Sequence, residues 1–377
     1  MTRTILPTLL ICGIPKDYHA EAVRWGLATF GIESRLWVGA DLPDFAQLSV
    51  SFEEQGAAVR LHDGHGTVRL DDVQLVWNRR NQLPQAPEFA AAVDASFIEA
   101  ECREHVLGAR HLLSQRVRTI NSLSAQRVAA RKTVQIEHAR RVGFAVPTTL
   151  ISNHPETIRA FWEWHAPLVV KPFRTTAWSN DGTIFAAFTA VMPEPLPEHE
   201  AELELCPQIF QALVPDKRDV RVIAFDGQCF AAELDDSDHR SIVDVRDAIR
   251  SRTIRYHPID VPQIIQQRIM AYLRGLELEY GAFDFAIDAA GEWVFLECNE
   301  AGQFLFLEVA LPDLTILDSF CRWFCKLMGV DTAPAAEPLR LSDFEASAHW
   351  TEIKSQVNDG HKHFVPEENA YRREGQG

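Results

Sequence analysis

Asp284, Glu297 and Asn299 fall within GAFDFAIDAAGEWVFLECNEAGQ, residues 281–303, and their types and spacing bear most directly on chemistry. The apolar runs on either side of Ala289-Ala290-Gly291 read as the two strands of a β-hairpin. A four-residue loop, 289–292, pairs Asp288 with Trp293 and so sets Asp284 opposite Glu297. Side chains alternate along a strand, which puts Glu297 and Asn299 on one face and turns Cys298 away. Cross-strand Cβ atoms lie roughly 5 Å apart, so two carboxylates and an amide oxygen converge. Carboxylates that close repel, and the usual remedy is a hard divalent cation that takes oxygen ligands while sharing the phosphates of a nucleotide. The competing reading is a solvated hairpin face.

Other residues carry charge in suggestive places. Lys171 ends the apolar run LVVK and precedes Pro172, where its ammonium either reaches phosphates or snorkels to the surface. Lys217, Asp219 and Arg221 alternate as the chain enters a strand, so all three project to one face, a site or a merely charged surface. Arg246, in Val243-Asp244-Val245-Arg246, has the planar guanidinium that can give two parallel hydrogen bonds to an oxyanion. Arg79 and Arg80 are either structural ion-pair formers or part of a docking surface, and the sequence does not decide. Cys298, Cys321 and Cys325 read as core residues, and His361-Lys362-His363 as a fragment of metal-binding type within a tail that has no function.

The elements that must position these groups follow from the patterning. TLLICGI is a continuous apolar run suited to a parallel strand buried on both faces, and an amphipathic stretch from Tyr18 to Phe30 ends at Gly31. IESRLWVG and VQLVWNRR read as further strands around a polar excursion with room for a small hairpin, and a helical region follows from Pro87 to Gln115. No glycine-rich phosphate loop follows the first strand, so this α/β domain is not expected to bind a nucleotide by itself. A helix from Ser124 to Val142 carries Arg131 and Lys132, and Pro155 opens another. LVVKPF and GTIFAAF are β-like runs joined by RTTAWSND, residues 174–181, a loop with the make-up of a mobile flap. PQIFQALV is a strand, and DVRVIAFDGQCFAAELD is a hairpin turning at Asp226-Gly227. Helices span Val261 to Gly275 and Pro312 to Leu327, and beyond Asp331 the chain turns polar and is expected to be poorly ordered.

Bulk properties narrow the function class. The chain has 377 residues, enough for two or three domains, with 46 % hydrophobic and 24 % charged residues, as in a globular protein. A formal charge of −16 disfavours nucleic acid as a main partner. Seven cysteines with no C-x-x-C spacing argue for thiols in a reducing compartment. The N-terminal apolar run is short and proline-interrupted, unlike a signal peptide, and the expectation is a cytoplasmic protein with no membrane partner.

The succession of VWNRR (76–80), AARKTVQIEHARRVGFAVPTTLISNHPET (129–157), VVKPF (169–173), QALVPDKRDVRV (211–222), DVR (244–246) and FLECNEAGQF (295–304) resembles the ATP-grasp superfamily. Within it, the chain is most similar to the ligases of microviridin or graspetide type that macrocyclise ribosomal precursor peptides. The resemblance runs from about residue 4 to 330. It implies an α/β fold with α+β lobes: an N-terminal open α/β domain (1–120), a small central lobe with a flap (121–213), a C-terminal lobe built on an antiparallel sheet (214–330), and a polar tail (331–377). It also implies that ATP lies between two antiparallel sheets, touching Lys132 and Lys171, with the backbone of Gln211, Ala212, Leu213 and Val214 along the adenine edge. Lys217 would lie near the nucleotide, Asp219 near its ribose and Arg221 near its phosphates, with Arg246 at the transferred phosphoryl group or the substrate carboxylate. Asp284, Glu297 and Asn299 would hold two Mg²⁺ ions. Ala212 departs from the pattern, because relatives commonly carry glutamate there.

The activity implied is ATP-dependent. A carboxylate does not acylate a hydroxyl or amine directly, because its oxide is a poor leaving group. Transfer of the γ-phosphoryl group gives an acyl phosphate that a nucleophile can attack, and this needs positioning and charge neutralisation more than a protein nucleophile. The partner would be a precursor peptide, leader plus core, whose Asp or Glu side chains are joined to Ser, Thr or Lys, and the enzyme would be a homodimer. Two alternatives stand beside this: an ATP-grasp carboxylate–amine ligase acting on a small molecule or protein terminus, and a non-catalytic nucleotide-binding scaffold.

Overall fold

Four parallel strands open the structure: β1 (Thr8–Cys12), β2 (Glu33–Trp37), β6 (Leu75–Asn78) and β7 (Arg118–Ile120), in the order β2-β1-β6-β7. A computed structural model describes residues 8–54, 56–173, 177–180, 183–195, 198, 200–235, 254–332, 337–356 and 360–362. Leu9, Leu10 and Ile11 are fully buried, as the continuous apolar run requires of a central parallel strand. The polar excursion after β2 holds not one hairpin but a three-stranded antiparallel meander, β3 (Ala46–Glu53), β4 (Gly56–Asp63) and β5 (Gly66–Arg69). The following helix starts at Ala95 and not at Pro87, and runs to Ser114. Pro84 and Pro87 bias the residues before them away from helical backbone, and the stretch between stays irregular.

These strands belong to one of two compact units, which takes the chain through Gln126, Glu277–Tyr280 and the segment that begins at Glu300. The stretch expected to be a disordered tail folds here. Leu341–Ala346 and Ala348–Ser355 are helices whose Phe344 and Trp350 stack edge-on or tilted around Tyr18 and Trp25 of the first helix, Tyr18–Thr29. Leu341 and Phe344 are buried, a two-residue apolar anchor that composition averaged over a charged segment conceals. Further on, His361 meets the buried Asp41 carboxylate through Nδ1 at 2.7 Å, and the Lys362 amide donates to the same carboxylate at 2.8 Å. Those contacts give His361 and Lys362 an anchoring role; His363 lies outside the described residues.

The second unit takes Arg127–Leu276 and Gly281–Asn299. It contains a four-stranded antiparallel sheet ordered β12-β9-β13-β8, from β8 (Thr149–Ser152), β9 (Leu168–Lys171), β12 (Ala190–Val191) and β13 (Gln208–Ala212). Leu168 and Phe210 on one face pack with Ile158 of the helix Pro155–His165 and with Met192. Between β9 and β12 lies a separate hairpin, β10 (Ala177–Asn180) with β11 (Thr183–Ala186). The expected flap is therefore built differently: residues 177–180 are a strand and not part of a loop, and β9 pairs with β12 and β13. The Asp181-Gly182 dipeptide between β10 and β11 is the sequence signal for that hairpin.

A five-stranded sheet ordered β16-β15-β14-β17-β18 completes the unit, from β14 (Arg218–Phe225), β15 (Gln228–Asp235), β16 (Arg255–Pro258), β17 (Tyr280–Ile287) and β18 (Trp293–Asn299). Asp226 and Gly227, at φ 46° and 77°, form the expected tight turn between β14 and β15. Under β17 and β18, the buried rings of Phe283, Phe285, Phe295, Tyr272 and Phe144 make one aromatic cluster with centroids 5.2–6.5 Å apart. Among the described residues, no helix is long and apolar enough to cross a membrane.

Candidate active site

The hairpin sets Asp284 opposite Glu297, by a route the sequence does not suggest. The loop has three residues and not four: Asp288 exchanges backbone contact with Glu292, and its carbonyl accepts from the Gly291 amide. The Asp288 carboxylate accepts from the amides of Ala290 and Glu292, and Gly291 sits at φ +82°, the left-handed position that such a loop needs. This pairs Ile287 with Trp293 and shifts the register by one residue near the turn. A β-bulge between the Phe285–Phe295 and Asp284–Glu297 pairs then takes up Leu296 and restores the match. Without the bulge, strict alternation would turn Glu297 toward Phe283 and the aromatic cluster. With it, Asp284, Glu297 and Asn299 share the opposite face, and Cys298 pairs with Phe283 on the buried side.

Each carboxylate already has a cation. Arg221 Nη1 donates to Asp284 Oδ1 at 2.7 Å from the neighbouring strand β14, and Lys132 Nζ donates to Glu297 Oε2 at 2.5 Å. These two cations balance the two acids across the hairpin. Glu297 Oε1 accepts from the Asn299 amide at 3.3 Å. Lys132 reaches this place because the helix expected from Ser124 to Val142 is broken into Leu123–Ala129 and Lys132–Arg141, with Arg131 extended between them. Gln135 locks the break. Its Nε2 donates to the carbonyls of Ala129 and Cys298 at 2.7 and 2.8 Å, and its Oε1 accepts from the Cys298 amide at 3.1 Å. Sequence reading passed over Gln135; its one signal is a polar side chain four residues before Ala139, on what proves to be the buried face of the helix.

Burial pushes the Asp284 carboxyl up to about 6, with Arg221 opposing the rise and Glu297 adding to it. An acid whose folded value lies above its unfolded one binds an extra proton in the fold. Its stabilising contribution is therefore complete below the unfolded value and is lost as pH rises through about 6. We expect the urea midpoint of the metal-free protein to fall, relative to Asp284→Asn, between about pH 4 and pH 7.

The central sheet supplies a second set of residues. Lys171 pairs with Ile209 and Gln211 with Val169 and Thr149, so Lys171 and Gln211 share the face opposite Phe210 and its helix-covered core. Gln211 is buried, and its Nε2 donates to Thr149 Oγ1 at 3.0 Å. The amides of Ala212 and Leu213 are committed to the carbonyls of Thr148 and Pro167, both at 2.9 Å. Among the described residues, none hydrogen-bonds to the backbone of Val214. Lys217 and Asp219 form an ion pair with each other, and Asp219 and Arg221 follow at alternate positions of β14. One short segment ties the two sheets together. The Ala145 carbonyl accepts from Phe295 of β18, and the Thr148 carbonyl accepts from Ala212 of β13. Three residues of chain span at most about 11 Å, so the two sheets approach at this point.

Arg246 lies outside the described residues. Arg79 is buried in the first unit, with Nε 3.4 Å from Asp17 and Nη1 donating to the Ala301 carbonyl at 2.6 Å, which makes it a structural ion-pair former. Arg80 is more exposed and reaches the same carboxylate at 3.4 Å. Asn121, also unremarked in the sequence, is buried and makes four hydrogen bonds, to the amides and carbonyls of Glu279, Tyr280 and Glu300.

No model of a known protein family and no curated protein sequence matches this chain. Solved structures do match. A RiPP-associated ATP-grasp ligase from Chryseobacterium gregarium, in complex with ADP and a leader and core peptide, superimposes with a TM-score of 0.76 at 24 % identity, over 84 % of this chain and 97 % of that one. The macrocyclase MdnC of Microcystis aeruginosa, bound with precursor peptide MdnA, gives 0.72 at 22 % identity, over 84 % and 98 %. The ATP-grasp ligase PsnB, complexed with a phosphomimetic variant of its minimal precursor, Mg and ADP, gives 0.65 at 21 % identity, over 85 % and 98 %. The chain has the ATP-grasp fold.

Proposed function

We propose that this protein is an ATP-dependent ligase that joins Asp or Glu side-chain carboxylates of a ribosomal precursor peptide to Ser, Thr or Lys side chains, forming macrolactones or macrolactams. The observation that carries the reading is the face on which Arg221–Asp284 and Lys132–Glu297 stand side by side with Asn299. Near-complete coverage of ligases whose structures contain a precursor peptide, two of them with ADP as well, supports it.

The residues present fit the groups this chemistry needs. Two carboxylates and an amide oxygen on one face are donors suited to Mg²⁺, and the buried Gln211 Oε1 has no hydrogen-bond partner among the described residues. Mg²⁺ would neutralise phosphate charge when bound. Asp284, Glu297 and Asn299 would hold it, two ions in this reading. Lys171, Lys132 and Lys217 would meet the nucleotide, Asp219 its ribose, and the backbone around Gln211, Ala212, Leu213 and Val214 the base. Arg221 and Arg246 would offer guanidinium donors to oxyanions that gain charge in the reaction. Asp284 would orient the Arg221 fork for this through its hydrogen bond with Nη1. A homodimer, a cytoplasmic setting and the absence of nucleic-acid and membrane partners belong to the same reading, which the charge of −16 supports for nucleic acid.

The test is mass spectrometry of candidate acidic, hydroxyl-rich precursor peptides incubated with the protein, ATP and Mg²⁺. Each ring removes one water and releases one ADP. A product that gains mass would favour the amino-acid-adding ligase, and ADP release with no change in any peptide would count against cyclisation.

A further inference from the structure

We infer that the first unit carries a binding site for a small phosphate monoester, in a cavity of about 270 Å³ between the first helix, the edge strand β2 and the C-terminal segment. None of its lining residues takes part in the ligase reading, so the site stands independently of it.

The cavity exists because the C-terminal segment folds. Helix Ala348–Ser355 and the residues after it supply Ile353, Gln356 and His361, and the first helix and β2 supply the facing walls. The volume is close to the lower end of the range in which small ligands bind, about 300–1,000 Å³. It is several times the share of one water, about 30 Å³.

The lining holds donors that lack acceptors. Lys16 has three ammonium hydrogens, gives one to the Gln356 carbonyl, and has no acidic partner among the described residues. It is held at φ 56° between Pro15 and Asp17, which caps the first helix through the Ala20 amide. Left-handed backbone is uncommon for a residue with a side chain and recurs where a fold clamps a ligand. Arg24 gives Nη1 to both Glu21 oxygens at 3.0 Å and Nε to Ser34 Oγ at 3.3 Å. Its Nη2 hydrogens have no partner among the described residues. Arg35 is spent on Asp63 and the His65 carbonyl except at Nε.

The acids, by contrast, are used up. Glu21 accepts from Arg24 and meets His349 Nε2 at 3.3 Å, and Asp63 accepts from Arg35 and the His65 amide. Glu33 has no cation among the described residues, and it is exposed to solvent.

Donors without acceptors call for an oxyanion, and the geometry of Arg24 says which. A carboxylate is held bidentately by two parallel N–H bonds from one guanidinium edge, and on Arg24 each edge already has a committed nitrogen. A tetrahedral phosphoryl group collects single bonds from separate directions, and a lysine serves it as a point charge. Pro15, Leu36 and Ile353 offer apolar surface to an organic body, which an ester has and inorganic phosphate lacks.

Calorimetry with the full-length protein at fixed ionic strength tests this, using sn-glycerol 3-phosphate, inorganic phosphate and succinate. The ester should bind more tightly than inorganic phosphate and at least about tenfold more tightly than succinate. Lys16→Met should weaken it by about 10- to 100-fold, the loss of hydrogen bonds from a charged group. Glu33→Gln, at an exposed position, removes a like charge and should strengthen it about two- to fivefold. Arg141→Gln removes one positive charge from an exposed helix of the second unit and should leave the affinity within about twofold, which separates a site from the general field. Saturating ADP and Mg²⁺ should also leave it within about twofold. No binding of the ester by wild type, binding that Lys16→Met leaves unchanged, or competition by ADP would overturn the site. Succinate binding as tightly as the ester would overturn the phosphate assignment.

Discussion

Glu297→Gln should leave a folded protein whose ATP-dependent turnover is at least about 100-fold slower, the effect of losing about 3 kcal/mol of charge stabilisation. The substitution keeps the shape of the side chain and removes its charge. Glu297 is 30 % exposed and Lys132 19 %, so the ion pair between them is partly solvated and its loss costs the fold little. What is lost is one of the two carboxylates that would hold Mg²⁺. The neutral amide also leaves the Lys132 ammonium without its counter-ion, which adds repulsion toward an incoming cation. ADP release measured beside a thermal melt separates the two effects. Turnover within about threefold of wild type, with an unchanged melt, would remove Glu297 from the metal site and with it the central support for a ligase.

Gln135→Ala should act in the opposite way, on the fold first, destabilising it by about 2–4 kcal/mol. Three hydrogen bonds disappear, and the amide and carbonyl of Cys298 are left in a place that is only 2 % exposed. No water replaces Gln135 without a cavity, and the helix break that delivers Lys132 loses its lock. Cys298 lies between Glu297 and Asn299, so slackening there spreads both proposed ligands. The measurements are a urea midpoint and hydrogen exchange of the Cys298 amide, which should become fast in the variant. Gln135→Glu is the informative control: it keeps the acceptor for the Cys298 amide but turns a buried carboxylate oxygen against the Ala129 and Cys298 carbonyls, and at neutral pH should be at least as destabilised as alanine. Equal stability of all three would mean that the interdigitated aromatic cluster alone holds β18.

The two variants divide the site into what performs chemistry and what holds it in place, and the sequence was legible for the first far more than for the second. Asp284, Glu297 and Asn299 could be placed on one face because alternation is a local property of any strand. The placement nevertheless owed something to cancellation: a loop one residue shorter than expected is offset by a bulge at Leu296. Nothing near Leu296 announces a bulge, since its cause is the demand that Phe283, Phe285 and Phe295 face the cluster while Glu297 does not. Phe344 and Trp350 were overlooked for a similar reason. Their partners, Tyr18 and Trp25, lie more than 300 residues earlier, and a charged stretch conceals two rings that pack only against distant ones.

By itself the sequence determined the order of elements, the buried β1, the Asp226-Gly227 turn, the resemblance to ATP-grasp ligases carried by its motifs, and the shared face of three oxygen donors. Each is a consequence of neighbouring residues, of backbone chirality, or of motif order along the chain. Only the tertiary structure decided who stands beside whom: Arg221 against Asp284, Lys132 against Glu297, Gln135 across Cys298, and Thr149 beside Gln211. Those pairs join residues 62 to 165 positions apart. No periodicity reaches that far, because such contacts are set by how sheets and helices close on a common core, and it is there that charges acquire partners.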